Sequence, residues 1–273
     1  MIRYFDKSNN RLVYVGKAAN DTYWDQHWKS ESAKLKEQIK VKNDRFIIGY
    51  TRKYLPPGAK IFEGGCGLGG KVCTLHYHGY DAYGVDYARE TVKKVNQYAP
   101  ELKIKVGDVR DLQFPDNFFD GYWSLGVIEH FYDGYERVVS EMFRVLKPGG
   151  YLFLTVPVMS TLRKAKVRRK KYLEYKESKE MKENFYQFAF DPSDIVNDLK
   201  NRGFELVDVK PYDGIKGLKD EVLILKPFLQ YLYDNKNRAS NVVKNILDIV
   251  FRRFTNHVGL FIMCKTGRQV ETD

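Results

Sequence analysis

The chain has 273 residues, with 46 Lys+Arg against 35 Asp+Glu and a formal net charge of +11. Hydrophobic residues make up 43%, and Gly and Pro number only 21 and 9, which excludes a disordered or collagen-like chain. No apolar run approaches the roughly 18–20 residues of a bilayer span, three cysteines make no paired framework, and Met1-Ile2-Arg3-Tyr4-Phe5-Asp6 has no apolar signal core, so a reduced, cytoplasmic protein is expected. The charge is concentrated: the run RKAKVRRKK from Arg163 to Lys171 holds seven basic residues and no acid. Such a patch can face phosphate, anionic lipid or water.

Residues 1–50 read as an aromatic, charged, helical N-terminal extension, a candidate lid. Tyr23-Trp24-Asp25-Gln26-His27-Trp28 stands out in it, and Lys34 to Tyr50 is predicted helical. Leu55-Pro56-Pro57-Gly58 is a break. Residues 51–273 form the main domain. Lys60-Ile61-Phe62-Glu63 is a strand running into a glycine loop, and Leu68 to His78 the helix after it. Ala82 to Asp86 is the second strand, Glu90 to Tyr98 a helix, and Leu102 to Val106 alternates as a third strand. Phe119 to Leu125 is the fourth. Asp133 is a candidate cap for the next helix, with Glu136 completing a capping box, and Val138, Val139, Met142, Phe143 and Leu146 make one apolar face. Lys147-Pro148-Gly149-Gly150 stops that helix, and Tyr151 to Val156 is the fifth strand. This alternation predicts a parallel sheet covered on both faces.

Two insertions are expected, at about 158–190 and 212–254. Between them, Asp191-Pro192-Ser193-Asp194 starts a helix, stapled by Phe190 and Ile195 and ended by Gly203, and Phe204 to Val209 alternates as a strand. Val258 to Cys264 is the last strand.

The loop Glu63-Gly64-Gly65-Cys66-Gly67-Leu68-Gly69-Gly70 lets the backbone turn tightly and lets a ligand approach the main chain. After the first strand of a doubly wound sheet, such a loop is a nucleotide site. Gly65-x-Gly67-x-x-Gly70 with Asp86 about 20 residues on also fits a dinucleotide fingerprint. Glu63 points elsewhere: a carboxylate against the loop repels pyrophosphate but suits an amino group or a cation. Asp108, in Gly107-Asp108-Val109, offers an acceptor for an exocyclic amine. The fourth-strand block runs from Phe119 through Ser124-Leu125-Gly126-Val127-Ile128-Glu129-His130, with Leu146-Lys147-Pro148-Gly149-Gly150 beyond it.

On these four blocks, Lys60 to Pro157 resembles the core of class I S-adenosylmethionine-dependent methyltransferases, of the type 11/12 kind. The resemblance implies a Rossmann-like, doubly wound α/β fold. Its seven-stranded sheet would be mostly parallel with an antiparallel last strand, here with an N-terminal extension and helical insertions. It implies S-adenosyl-L-methionine as cofactor. Glu63, Gly65 and Gly67 would hold its methionine part, Asp86 its ribose hydroxyls, and Tyr87 would lie beside the adenine. Asp108 would accept the adenine amine with the Val109 amide nearby, and Ser124, Leu125 and Gly126 would border the methyl.

His130 is the candidate general base, beside the expected methyl; its other reading is a hydrogen bond to cofactor or backbone. Glu129 is a candidate for orienting the loop. Cys73-x-x-His76-x-His78 lacks a fourth ligand, so no metal is expected. The fourth strand is not followed by Asn- or Asp-Pro-Pro-Tyr, and no Pro-Cys or Thr-Cys dipeptide offers a cytosine-directed nucleophile. The expected acceptor is therefore a small molecule carrying a hydroxyl, such as a sugar, a quinone-like ring or a lipid-linked group. Tyr186 and Gln187 are candidates to bind it. The alternative is an RNA substrate held by residues 163–171. From Asn241 to Phe254, one helical face carries Val242, Val243, Ile246, Leu247, Val250 and Phe254, flanked by Arg238, Lys244, Arg252 and Arg253. That face either packs on the sheet or lies on an anionic membrane.

Overall fold

A computed structural model describes residues 1–19, 23, 24, 26–28, 39, 44–235 and 237–267. The chain opens on a hairpin, not a helix. β1 (Ile2–Asp6) pairs antiparallel with β2 (Arg11–Val15), Ile2 lying opposite Val15. The physical reason is local. β-branched and aromatic residues favour the pleat, and Asp6 closes the turn by accepting from the amides of Ser8 and Asn9 at 3.1 and 3.2 Å. α1 (Arg45–Tyr54) overlaps the predicted Lys34–Tyr50 helix; before Asp44, only Ile39 of that prediction falls within the described residues. Asp44 caps α1 through the Phe46 and Ile47 amides.

The domain then alternates: β3 (Lys60–Gly64), α2 (Gly70–Tyr77), β4 (Asp81–Asp86), α3 (Arg89–Tyr98), β5 (Lys103–Val106), β6 (Phe119–Leu125), α4 (Glu136–Val145) and β7 (Leu146–Pro157). Strand side chains alternate between two cores. Phe62, Tyr122, Leu152 and Leu154 face one side, where Val138 and Met142 of α4 cover them. Ile61, Trp123 and Phe153 face the other, under Ile47 of α1, Val72 of α2 and Val95 of α3. The predicted capping box does not form. Gly134 takes a positive φ of 108°, α4 begins at Glu136 behind Tyr135, and Asp133 instead pairs with Lys182. α4 does stop ahead of Lys147, at Val145, and β7 starts at once with Leu146.

The first insertion contains α5 (Thr161–Arg168), β8 (Leu173–Glu174), α6 (Lys179–Glu183) and β9 (Phe185–Ala189). β8 and β9 flank the N-terminal hairpin in a second sheet of order β8-β1-β2-β9. Val13, Val15, Phe185 and Phe188 join this sheet to the main core. α7 (Pro192–Asn201) is capped by Asp191, with Pro192 at its start, and Phe190 and Ile195 lie buried in one cluster. β10 (Phe204–Tyr212) follows. The second insertion is helical almost throughout: α8 (Gly214–Glu221), α9 (Lys226–Asp234) and α10 (Arg238–Thr255). β11 (Val258–Lys265) completes the main sheet, in the order β10-β11-β7-β6-β3-β4-β5. Neighbours among β3 to β7 run parallel, and β11 runs antiparallel to both β7 and β10. This is the expected seven-stranded, doubly wound sheet.

Candidate functional site

A cavity of about 990 Å³ opens at the carboxyl ends of β3, β4 and β6, where a doubly wound sheet places its ligands. Of the residues singled out from sequence, Glu63, Gly65, Asp86, Tyr87, Asp108, Val109, Leu125 and His130 all line it. Gly67 and Ser124 are set back from its surface. Gly67 lies under Trp28, so that a Cβ there would stand 2.6 Å from the indole, and its φ of +50° also favours glycine. Ser124 is fully buried, with its Oγ unpartnered among the described residues.

Asp86 is buried and organises the loop. Its Oδ2 accepts from the Gly67 amide at 2.8 Å and its Oδ1 from the Ala88 amide at 2.9 Å. Glu63 is buried beside it, and its Oε2 has no hydrogen-bond partner among the described residues. Burial above all, and next the Asp86 charge against the opposing pull of Lys71, pushes its pKa up to about 8. Lys71, in the first turn of α2, forms an ion pair of 2.5 Å with Asp44, and both line the cavity. Sequence reasoning missed this pair; the signal for Lys71 was its place directly after the glycine loop.

Asp108 stands at the expected strand end but is engaged. Arg110 grips it from Nε at 3.0 Å and from Nη2 at 2.6 Å, and the Arg110 amide donates at 2.8 Å. These bonds outweigh partial burial and hold its pKa below the ordinary carboxylate value. An adenine amine would share this carboxylate with Arg110.

Beyond the loop the wall is aromatic. His130 ends a single 3₁₀ turn, Ile128–His130, and its Nδ1 lies 2.7 Å from the Tyr186 carbonyl. A carbonyl only accepts, so Nδ1 carries the proton and Nε2 the lone pair. Desolvation lowers the His130 pKa to about 4, against the raising effect of that bond, so the ring is neutral at pH 7. Trp24 meets it edge-on at 5.0 Å and Tyr186 at 5.1 Å; Tyr23 in turn packs on Tyr186. Trp24 and Trp28 line the cavity. The described part of the N-terminal segment thus lies over the site. Glu129, next to His130, is a second buried carboxyl whose Oε2 has no partner among the described residues, its pKa also raised to about 8 by desolvation.

Both carboxyls titrate far above their ordinary value of 4.5. A group whose folded pKa exceeds its unfolded one contributes stability that is full below the unfolded pKa and is lost as pH rises through the folded one. Urea unfolding free energy should therefore fall by on the order of 4–5 kcal/mol between pH 6 and pH 8, about half from each carboxyl. Glu63→Gln should flatten much of that slope; an unchanged slope would exclude Glu63 as its source.

The basic run is divided between ion pairs and solvent. Arg163 is fully buried against Glu221, Lys164 pairs with Asp191 at 2.7 Å, and Lys166 pairs with Glu221 at 2.7 Å. Arg168, Arg169, Lys170 and Lys171 remain exposed. Cys73 is buried, its Sγ donating to the Ile39 carbonyl, and the His78 Nδ1 lies 3.0 Å from Arg52, so two of the three members of the Cys73–His76–His78 motif have separate partners.

Residues 62–154 match the family model described as a methyltransferase domain. A 2-methyl-6-phytyl-1,4-hydroquinone methyltransferase of Synechocystis is 35% identical over 102 residues, covering 36% of this chain and 32% of that protein. A sterol 24-C-methyltransferase of Yarrowia lipolytica is 34% identical over 103 residues, covering 35% and 27%. The chain thus spans about a third of the length of the curated relatives it matches. Among solved structures, a chain from the complex of the Haloferax volcanii Trm112 methyltransferase activator with a methyltransferase superposes with a TM-score of 0.57 at 15% identity. It covers 93% of this chain and 99% of that one, which shows a shared fold. Residues 62–154 are thus similar to a methyltransferase domain, the stretch over which the sequence resembles class I S-adenosylmethionine-dependent methyltransferases.

Proposed function

We propose that the chain transfers a methyl group from S-adenosyl-L-methionine to a hydroxyl oxygen of a small molecule, whether a sugar, a quinone-like ring or a lipid-linked group. The observation that carries this reading is one cavity with two unlike walls: the buried carboxyl groups of Glu63 and Asp86 at the glycine loop, and a neutral His130 set among aromatic rings.

The residues present fit the cofactor. Glu63 Oε2 has no partner among the described residues, and a cationic donor such as the amino group of a methionine moiety would hold this buried carboxyl ionised. Asp86, at the end of β4 on the cavity wall, would accept the ribose hydroxyls, Tyr87 would lie along the base, and Asp108 with the Val109 amide would meet the base's edge. Leu125 and the Gly65 backbone would border the methionine chain. When bound, the cofactor supplies a methyl already activated on a sulfonium, so the protein's task is mainly positioning. Trp24 and Trp28 would exclude water and offer faces to an apolar or cyclic acceptor, with Tyr186 packed behind His130. His130 Nε2 would take the hydroxyl proton, while Tyr186 holds the ring in the required tautomer. An RNA acceptor is less well supported, since three of the seven cations of the basic run are spent on internal ion pairs.

Calorimetric titration tests the cofactor assignment. S-adenosylmethionine should bind in the micromolar range and a nicotinamide dinucleotide should not. Asp86→Asn should weaken binding by roughly 30- to 100-fold, for hydrogen bonds to a charged group, with an unchanged circular dichroism spectrum. Preference for the dinucleotide would sink the assignment, and unchanged affinity in Asp86→Asn would sink the ribose role.

A further inference from the structure

Of the 22 large apolar side chains that stand exposed among the described residues, 12 fall between Leu223 and Phe254. They belong to the turn before α9, to α9 and to α10. Ile224 is 87% exposed and Tyr231 64%, with Phe228, Ile246, Ile249 and Phe254 all above half. On α10, Val242, Ile246, Ile249 and Val250 follow the 4-3-1 spacing of a single helical stripe. The opposite side of the helix is already used. Leu247 packs on Ile215, Leu229 and Leu232, and Asp248 accepts from the Gly214 amide at 2.7 Å. The outer stripe therefore has no work in holding the insertion together.

Charge decides what covers it. Lys226, Arg252 and Arg253 border the face, Lys244 lies half-buried on α10, and the side chain of Arg238 is outside the described residues. Against these cations the described part of the stretch holds two acids: Asp248, turned to the α8 amides, and the exposed Asp234, which accepts from Gln230 at 2.9 Å. An apolar stripe with a cationic border is complementary to an anionic lipid surface, where the side chains enter the acyl boundary and the cations meet phosphates. Among the described residues no helix is long and apolar enough to cross a membrane, so the fit is to the interface plane.

Topology adds a direction. Tyr212, ending β10, pairs with Val258, starting β11, and Val258 pairs with Pro157, ending β7. The helical insertion thus leaves the sheet at its carboxyl end, the end that holds the cavity.

We propose that the outer face of α9 and α10, with the turn Leu223–Leu225, docks the protein on an anionic phospholipid bilayer with the cavity end of the sheet toward the lipid. This does not depend on the identity of the acceptor. The full chain should be sedimented with vesicles of phosphatidylglycerol and phosphatidylcholine in equal parts, and with phosphatidylcholine alone. The anionic vesicles should carry down roughly ten-fold more protein, and added salt should reduce that fraction. The double variant Ile246→Glu/Ile249→Glu should return it to background while keeping its circular dichroism spectrum and its cofactor affinity, since both positions are exposed. Three results would overturn the proposal: no sedimentation with anionic vesicles, equal sedimentation with neutral ones, or a dimer by light scattering that the double variant dissociates, which would make a second copy the occupant.

Discussion

Glu221→Ala is expected to destabilise the fold by about 3–5 kcal/mol, because it leaves a buried guanidinium without its counter-charge. The Glu221 side chain is fully buried and collects four donors from distant parts of the chain. Its Oε1 accepts from Arg163 at 3.0 Å and Arg3 at 2.5 Å; its Oε2 accepts from Lys166 and from the Tyr172 hydroxyl, each at 2.7 Å. Desolvation alone would raise its pKa, but Arg163 and then Arg3 outweigh it, and the carboxyl stays below its ordinary value. Arg163 is itself buried, donating also to the Val158 carbonyl at 2.6 Å and to the His257 Nδ1 at 2.9 Å. The network ties β1, α5 and α8 together, so its loss should loosen the small sheet and the helical insertion at once. Urea denaturation at pH 7 measures the effect. A loss under 1 kcal/mol would mean that water reaches Arg163 and the network is not closed. The pair Arg163→Met/Glu221→Leu should recover most of the stability, since replacing both charges removes the unpaired one.

His130→Ala is expected to lower kcat by about 10²–10⁴, the usual yield of a positioned general base, with cofactor affinity within a few-fold of the native chain. The reverse pattern, weak cofactor binding with normal turnover at saturation, would make His130 a cofactor ligand. With its pKa near 4, the imidazole is unprotonated throughout the neutral range, so His130 contributes no inflection to the rate between pH 6 and pH 9. A base so weak removes a proton more readily from an acidic hydroxyl. Turnover should therefore favour phenolic acceptors, with a pKa near 10, over simple alcohols. Faster methylation of sugars than of hydroquinones would point to another base. Glu129, buried next to His130 with its pKa near 8, would be the first to examine.

The central domain was legible because its signals are short-range. A strand, a glycine loop and a helix start within a dozen residues, so Glu63, Gly65 and Asp86 could be placed before any tertiary contact was known. The same holds for the Asp191-Pro192 helix start and the Gly203 stop, each a matter of one cap or one dihedral angle. Even there, short range was not always enough. Asp108 was read as an open acceptor although Arg110, two residues on, closes on it.

What the sequence by itself determined is the parallel sheet, its covered faces and the carboxylates at its carboxyl end, since period-two alternation and turn chemistry are properties of neighbouring residues. Tertiary structure alone decided the rest. β2 pairs with β9 across about 170 residues of chain, so neither strand's partner is encoded near it. Arg163 reads as one cation in a basic run, and only the approach of Glu221 from α8 turns it into a core residue. The stripe on α10 has one pattern for a buried and for an exposed helix. Periodicity tells which side chains share a face, whereas what meets that face depends on segments folded against it from elsewhere, and here Leu247 was taken inward while Ile246 and Val250 were left outside.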